Sequence, residues 1–190
     1  SQTYQPRCLL CNAASTAMPF LDAQGLKIEG VIDAAVEMTA KLKPKRLGLI
    51  GGRRTVVSGV YRKAFATRGI NVEQRIAQPL SGMIESGVLS SEKLSAECER
   101  ILLPIRNSSH ILLACTHYPA IAHVLKDFVS PQTALIDPAS ELVKRTARWN
   151  LARSGEPDAF FTTGDPVGMK GAAENAFGCT IGAVHKIGEI

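Results

Sequence analysis

Aromatic side chains make up only 5% of this 190-residue chain, with a single Trp among them. That scarcity argues against a surface for nucleic acid, which needs aromatics interleaved with a long basic stripe. The net charge is +5, and the densest basic stretch is the short "KLKPKR" at 41–46. It reads as a solvated helix end and loop. A mildly basic surface still attracts anionic small molecules through its field. No run of about 18 apolar residues exists to span a bilayer. The opening "SQTYQPR" also lacks the apolar core of a secretion signal, so nothing points to export. Five cysteines form an odd set without a dense framework. Reduced thiols in a cytoplasmic protein are therefore expected, rather than disulfides.

Two further absences narrow the chemistry. Cys8 and Cys11 spell C-x-x-C, but no second such pair or close His pair completes a zinc site, so no metal is expected. In a strand, residues three apart point to opposite faces, which also argues against a redox pair. The glycine turn in "GLIGGRRTVVSGVY" (48–61) is not G-x-G-x-x-G and no P-loop Lys follows it. It reads instead as a strand, a turn and a helix N-terminus exposing N–H groups to an anion. There Thr55 either caps the helix or reaches a ligand.

What is present is a regular alternation. Short apolar runs at 7–11, 28–32, 46–50, 71–76, 110–114, 133–136, 159–163 and 181–186 predict strands. Helical spacing occupies 14–23, 34–41, 56–67, 91–107, 120–128, 140–153 and 169–177. Continuous blocks such as "LGLIG" and "ILLA" suit strands covered on both faces. The pattern predicts an α/β fold with mainly parallel sheets and right-handed crossovers. In such folds ligands bind beyond the carboxyl ends of the strands.

Two thiols stand at such ends. "LLCNAA" places Cys11, followed by Asn12, after a Leu-rich run, and "LLACTH" places Cys115, Thr116 and His117 after another. Most buried thiols are inert packing. Two thiols at strand ends, each beside a hydrogen-bonding residue, point to a shared cleft between two half-domains. His117, two residues from Cys115, is placed either to polarise that thiol or to serve as a satisfied structural group. Cys98 and Cys179 read as packing.

Taken together, "CNAAS", "GLIGGRRTVVSGVY", "MIESG", "ACTHYP" and "FFTTGDP" occur in an order that resembles the glutamate racemases of the cofactor-independent aspartate/glutamate racemase superfamily. The likeness runs from about Cys8 to Phe177, and "CTHYP" is its most specific element. It implies two facing α/β half-domains with a cleft, formed by residues 1–36 with 140–190 and by residues 37–139. It implies racemisation without metal or pyridoxal, with Cys11 and Cys115 as the two acid/base groups. His117 and Glu85 would assist Cys115, while Asn12, Thr55 and Thr116 would bind the substrate. A small-molecule amino-acid substrate, glutamate first, dimerisation and the absence of a cofactor are what the same likeness implies.

Three departures stand beside it. Only ten residues precede Cys11, and neither an Asp-Ser-Gly-x-Gly-Gly opening nor a Pro-Tyr-Gly segment is present, as in a shortened chain. Ala13 stands where Thr is usual. Gly52 and Arg54 replace Thr and Ala, and Arg54 is positioned either to clamp a carboxylate or to face solvent. A racemase for aspartate or another amino acid, and an inactive binding homologue, are the rival expectations.

Overall fold

The computed structural model describes residues 7–22, 24–25, 28–149, 155 and 157–188. Strand β1 (Arg7–Leu9) leads into the short helix α1 (Asn12–Ser15), then a 3₁₀ turn at Met18–Phe20, β2 (Ile28–Gly30) and α2 (Val31–Lys41). Next come β3 (Leu47–Gly51), α3 (Arg53–Val57), α4 (Val60–Ala66), β4 (Val72–Ile76), α5 (Gln78–Glu85) and α6 (Glu92–Leu102). A 3₁₀ turn at Leu103–Ile105 precedes β5 (His110–Ala114), and another at Tyr118–Ile121 precedes α7 (Ala122–Asp127). The chain continues through β6 (Ala134–Ile136), α8 (Ala139–Ala147), β7 (Phe160–Thr162), α9 (Pro166–Phe177) and β8 (Val184–Lys186).

Among the described residues every strand pair is parallel, as the alternation predicts. The main sheet has the order β4-β3-β5-β6, and the pairs β1-β2 and β7-β8 form two smaller sheets. These sheet regions make the two facing α/β parts of the fold. In the main sheet, β3 and β5 run side by side from Leu47↔His110 to Gly51↔Ala114. The chain leaves β3 toward β4 on one side and returns to β5 on the other. Strand order therefore reverses between β3 and β5, and the carboxyl ends of these two strands open a crevice.

The apolar blocks of β3 and β5 are buried on both faces. Ile50, Ile111 and Leu113 pack with Leu80, Ile84, Leu94, Ile101, Ile121 and Leu125 from α5, α6 and the segment after β5. Leu47, Leu49, Leu112 and Ala114 face the opposite layer, with Val31, Ala35, Tyr61, Phe65 and Leu142 from α2, α4 and α8. Gly48 is required where β3 meets the first layer. A Cβ there would stand 3.1 Å from Ile105 Cδ1, Ile111 Cγ1 and Ser108 Oγ. Leu112, 0% exposed at the centre of this sandwich, anchors the strand that delivers Cys115. Leu112→Ala is expected to cost about 2–5 kcal/mol of stability through lost contacts and a residual cavity. Urea unfolding checks this, and a cost under about 1 kcal/mol would show that the layer collapses around the gap.

Several boundaries differ from the sequence reading, each for a local reason. The helix expected over 56–67 is two helices, because Gly59 adopts φ 68° and breaks the hydrogen-bond ladder between α3 and α4. The strand expected to reach Cys11 stops at Leu9, and Cys11 is the N-cap of α1. The helix expected over 14–23 is α1 plus the 3₁₀ turn started by Pro19; position 23 lies outside the described residues. Helix α8 ends at Ala147, short of 153, and positions 150–153 also lie outside them. Helix α5 was not expected at all; Pro79 in its first turn is the start signal that marks it. Helix α2 begins at Val31, earlier than the helix expected over 34–41. Its exposed end carries the basic segment, with Lys41 Nζ 2.8 Å from Glu37 Oε1.

Candidate active site

The crevice at the ends of β3 and β5 holds a cavity of about 150 Å³ lined by Cys11, Asn12, Ala13, Gly52, Thr55, Gln78, Ser81, Glu85, Ala114, Cys115, Thr116 and His117. Cys11 and Cys115, more than a hundred positions apart, thus border one space. Seven of the eight residues singled out from the sequence are in this lining, and Arg54 is not. Arg54 Nε donates to Thr16 Oγ1 at 3.2 Å, and Thr16 Oγ1 donates to Ala13 O at 2.7 Å. Arg54 therefore ties α3 to the segment after α1. It is not directed at a ligand in the cavity.

The surroundings of the two thiols are unequal. Cys11 is exposed, and its Sγ accepts the Ala14 N–H at 3.5 Å from the first turn of α1. Cys115 is half-buried at the end of β5, with Ser81 Oγ 3.5 Å and His117 Nδ1 3.4 Å from its sulfur. The other ring nitrogen, His117 Nε2, lies 3.3 Å from Glu85 Oε1. A carboxylate, an imidazole and a thiol are therefore connected in series, with a serine hydroxyl beside the sulfur.

Burial raises the Cys115 pKa. Hydrogen bonds from the His117 ring, the Ser81 hydroxyl and the His117 N–H, with the His117 charge, outweigh it, so the thiol lies below its ordinary range. His117 shifts the opposite way, raised chiefly by its bond to Cys115 and further by the Cys115 and Glu85 charges, against desolvation. The paired shifts favour a thiolate beside an imidazolium. Glu85 contributes less than the ring does, because its side chain is 61% exposed and water screens such a contact. Glu85 and His117 also border a second cavity of about 530 Å³ against α9.

Asn12 is 3% exposed, and its Oδ1 accepts the Tyr61 hydroxyl at 2.6 Å. Its Nδ2 is buried without a partner. Thr55 is buried in α3, and Thr116 is half-buried in the turn after Cys115. The "CTHYP" turn is anchored by Tyr118, whose hydroxyl donates to Ala77 O at 2.9 Å.

Three site residues escaped the sequence reading. Gln78 Oε1 accepts the Arg53 N–H at 3.1 Å and braces the glycine turn. Ser81 and Tyr61 are the others. Ser81 stands four residues before Glu85, so a helical reading of 78–85 would have put both on one face. Ser81→Ala should remove a donor from the Cys115 thiolate and leave burial less opposed. The thiol pKa then rises, and alkylation of Cys115 near pH 7 slows by about tenfold, since a hydrogen bond to a charged group is worth roughly 1.5 kcal/mol. Mass-resolved iodoacetamide labelling measures it, and an unchanged rate would remove Ser81 from the site's chemistry.

With this geometry in place, comparison with known proteins decides the family. A family profile described as Asp/Glu/Hydantoin racemase matches residues 26–146. The chain belongs to this family. It is 30% identical to a glutamate racemase of a Parafrankia species across 93% of its own length and 69% of that protein. It is also 30% identical to a glutamate racemase of Desulforudis audaxviator, across 76% of its length and 55% of that protein. Among solved structures it superposes on a Bacillus anthracis glutamate racemase with a TM-score of 0.81 at 25% identity, covering 95% of this chain and 73% of that one. A Francisella tularensis glutamate racemase, solved in complex with D-glutamate, gives a TM-score of 0.83 at 21% identity, covering 95% of this chain and 73% of that one. That second likeness concerns the fold alone. As a member of the racemase family the chain spans only part of its relatives, 55% to 71% of the length of these and similar glutamate racemases.

Proposed function

We propose that this racemase-family chain inverts the α-carbon of glutamate by a two-cysteine mechanism without a cofactor, supplying D-glutamate to the cell wall. The single observation that supports the reading is the shared cavity bordered by Cys11 and Cys115. Inversion requires a planar carbanion reached from opposite faces by two acid/base groups. One sulfur, as thiolate, takes the α-proton and becomes a thiol. The other, as thiol, delivers its proton to the opposite face and becomes a thiolate. Atoms and charge balance, and the two sulfurs exchange states at each turnover. His117 holds the Cys115 thiolate, with Ser81 as second donor and Glu85 behind the ring. Asn12, Thr55 and Thr116 are assigned to the substrate carboxylate, together with N–H groups of the glycine turn.

A second reading rests on Ala13, a methyl-bearing residue in the cavity lining where the resembling enzymes carry a hydroxyl. That change favours an amino acid other than glutamate, with aspartate the first to try. Incubation with L- or D-glutamate in heavy water, followed by NMR of the α-proton, tests both. Inversion with deuterium incorporation supports the glutamate reading. Faster exchange with aspartate moves the assignment to the second, and binding without exchange would make the chain a binding homologue.

A further inference from the structure

We infer that Tyr61 is a positioning residue that fixes the amide of Asn12 so that its NH₂ group, and not its oxygen, is offered to the ligand. The inference rests on the proposed amino-acid reading and concerns a residue outside the cavity lining. Tyr61 sits on α4, 49 positions from Asn12, and is 0% exposed. Its ring is stacked on Phe65 with centroids 6.0 Å apart and planes 20° from parallel. The phenol thus has a fixed direction set by the core. Its hydroxyl donates to Asn12 Oδ1 at 2.6 Å, the one side-chain hydrogen bond of either residue among the described residues. Burial, and then the nearby Asp33 charge, push the phenol pKa far above its ordinary range, so the proton is always present to donate.

The orientation of the amide follows from counting donors and acceptors. As observed, the phenol proton and Asn12 Oδ1 satisfy each other, and only Nδ2 lacks a partner. With the amide turned over, Nδ2 would donate to the phenol oxygen. The phenol proton would then be left without an acceptor and Oδ1 without a donor from the protein. One orphan is replaced by two, and each buried orphan is costly. The observed orientation is therefore the stable one. It leaves a donor of a cavity-lining residue open, which an anionic oxygen satisfies and an ammonium group does not. Asn12 thus selects which end of an amino acid lies beside Cys11, through a core residue of α4 outside the cavity lining.

Tyr61→Phe keeps the ring and its stacking while deleting the hydroxyl. The expected result is glutamate binding weakened about tenfold by calorimetry, since one hydrogen bond of roughly 1.4 kcal/mol corresponds to that factor. Where turnover is measured, KM should rise by the same factor while kcat stays within about threefold. Asn12→Asp keeps an acceptor for the phenol but replaces the open donor by an acceptor, and it should lose glutamate binding altogether, with some loss of stability from the buried carboxylate. In Asn12→Ala, adding Tyr61→Phe should bring no further loss. Wild-type binding that Tyr61→Phe leaves unchanged, or a Tyr61→Phe loss that persists in full in the Asn12→Ala background, overturns the inference and leaves the racemase reading standing. Binding without α-proton exchange overturns the racemase reading alone. A wild-type chain that binds neither glutamate nor aspartate overturns both.

Discussion

Replacing Cys115 by Ala is expected to abolish inversion while sparing proton exchange in one enantiomer. The remaining thiol, Cys11, still faces one side of the α-carbon in the proposed arrangement. It can take and return a proton on that side only. Cys11 is exposed, so its S–H exchanges with heavy water and delivers deuterium with retention of configuration. The enantiomer whose α-proton points at position 115 should show neither exchange nor inversion. Cys11→Ala should give the mirror result, and the double variant should be silent toward both enantiomers. A positioned acid/base group contributes about 10²- to 10⁴-fold, so the loss of inversion should be at least a hundredfold. Circular dichroism at equal concentration checks that the fold persists. Inversion surviving in either single variant removes the two-base mechanism.

The fold was readable because its signals are redundant along the chain. "LGLIG" and "ILLA" are short continuous apolar blocks, and a strand buried on both faces uses every residue of such a block. Their parallel pairing at the sheet centre follows from the helices needed to connect them. The site was readable at residues whose chemistry is rare in that position, namely the two thiols after Leu-rich runs and the imidazole two residues on. What could not be read were contacts between distant segments. The bond between Tyr61 and Asn12 joins α4 to α1, and nothing in "SGVYRKAF" distinguishes Tyr61 from a core aromatic. Ser81 was hidden for another reason. Gln-Pro-Leu-Ser-Gly looks like a turn, yet Pro79 opens a helix and Gly82 is carried inside it. Arg54 illustrates the converse failure. A guanidinium next to a glycine turn suggests a carboxylate clamp, but Thr16, set nearby only by the fold, takes its Nε–H instead.

His117→Asn should shift the pH profile of Cys115 upward. The rate of thiol alkylation follows the thiolate fraction, which rises tenfold per pH unit below the pKa. In the wild type, that rise should be complete at lower pH than for an ordinary thiol, because the His117 and Ser81 bonds outweigh burial. Removing the imidazole deletes the largest of the lowering contributions and its charge, while burial remains. The inflection then moves to higher pH, and labelling near pH 7 should fall by about ten- to a hundredfold. Glu85→Gln should lower it by less than about threefold, because that carboxylate acts through an exposed contact. Cys98 provides an internal reference. It is fully buried, and burial, with Glu97 second, pushes its pKa up to about 11, so its labelling should stay negligible in every variant. The sign reverses for the imidazole. His117 holds its proton to higher pH than a free ring, while Cys115 loses its proton at lower pH than an ordinary thiol, so each shift favours the charge on the other partner. A larger thiolate fraction makes Cys115 a better acceptor of the α-proton. A Cys115 profile identical in His117→Asn and wild type would mean that the ring does not set the charge of the sulfur, and proton abstraction from this side would need another cause.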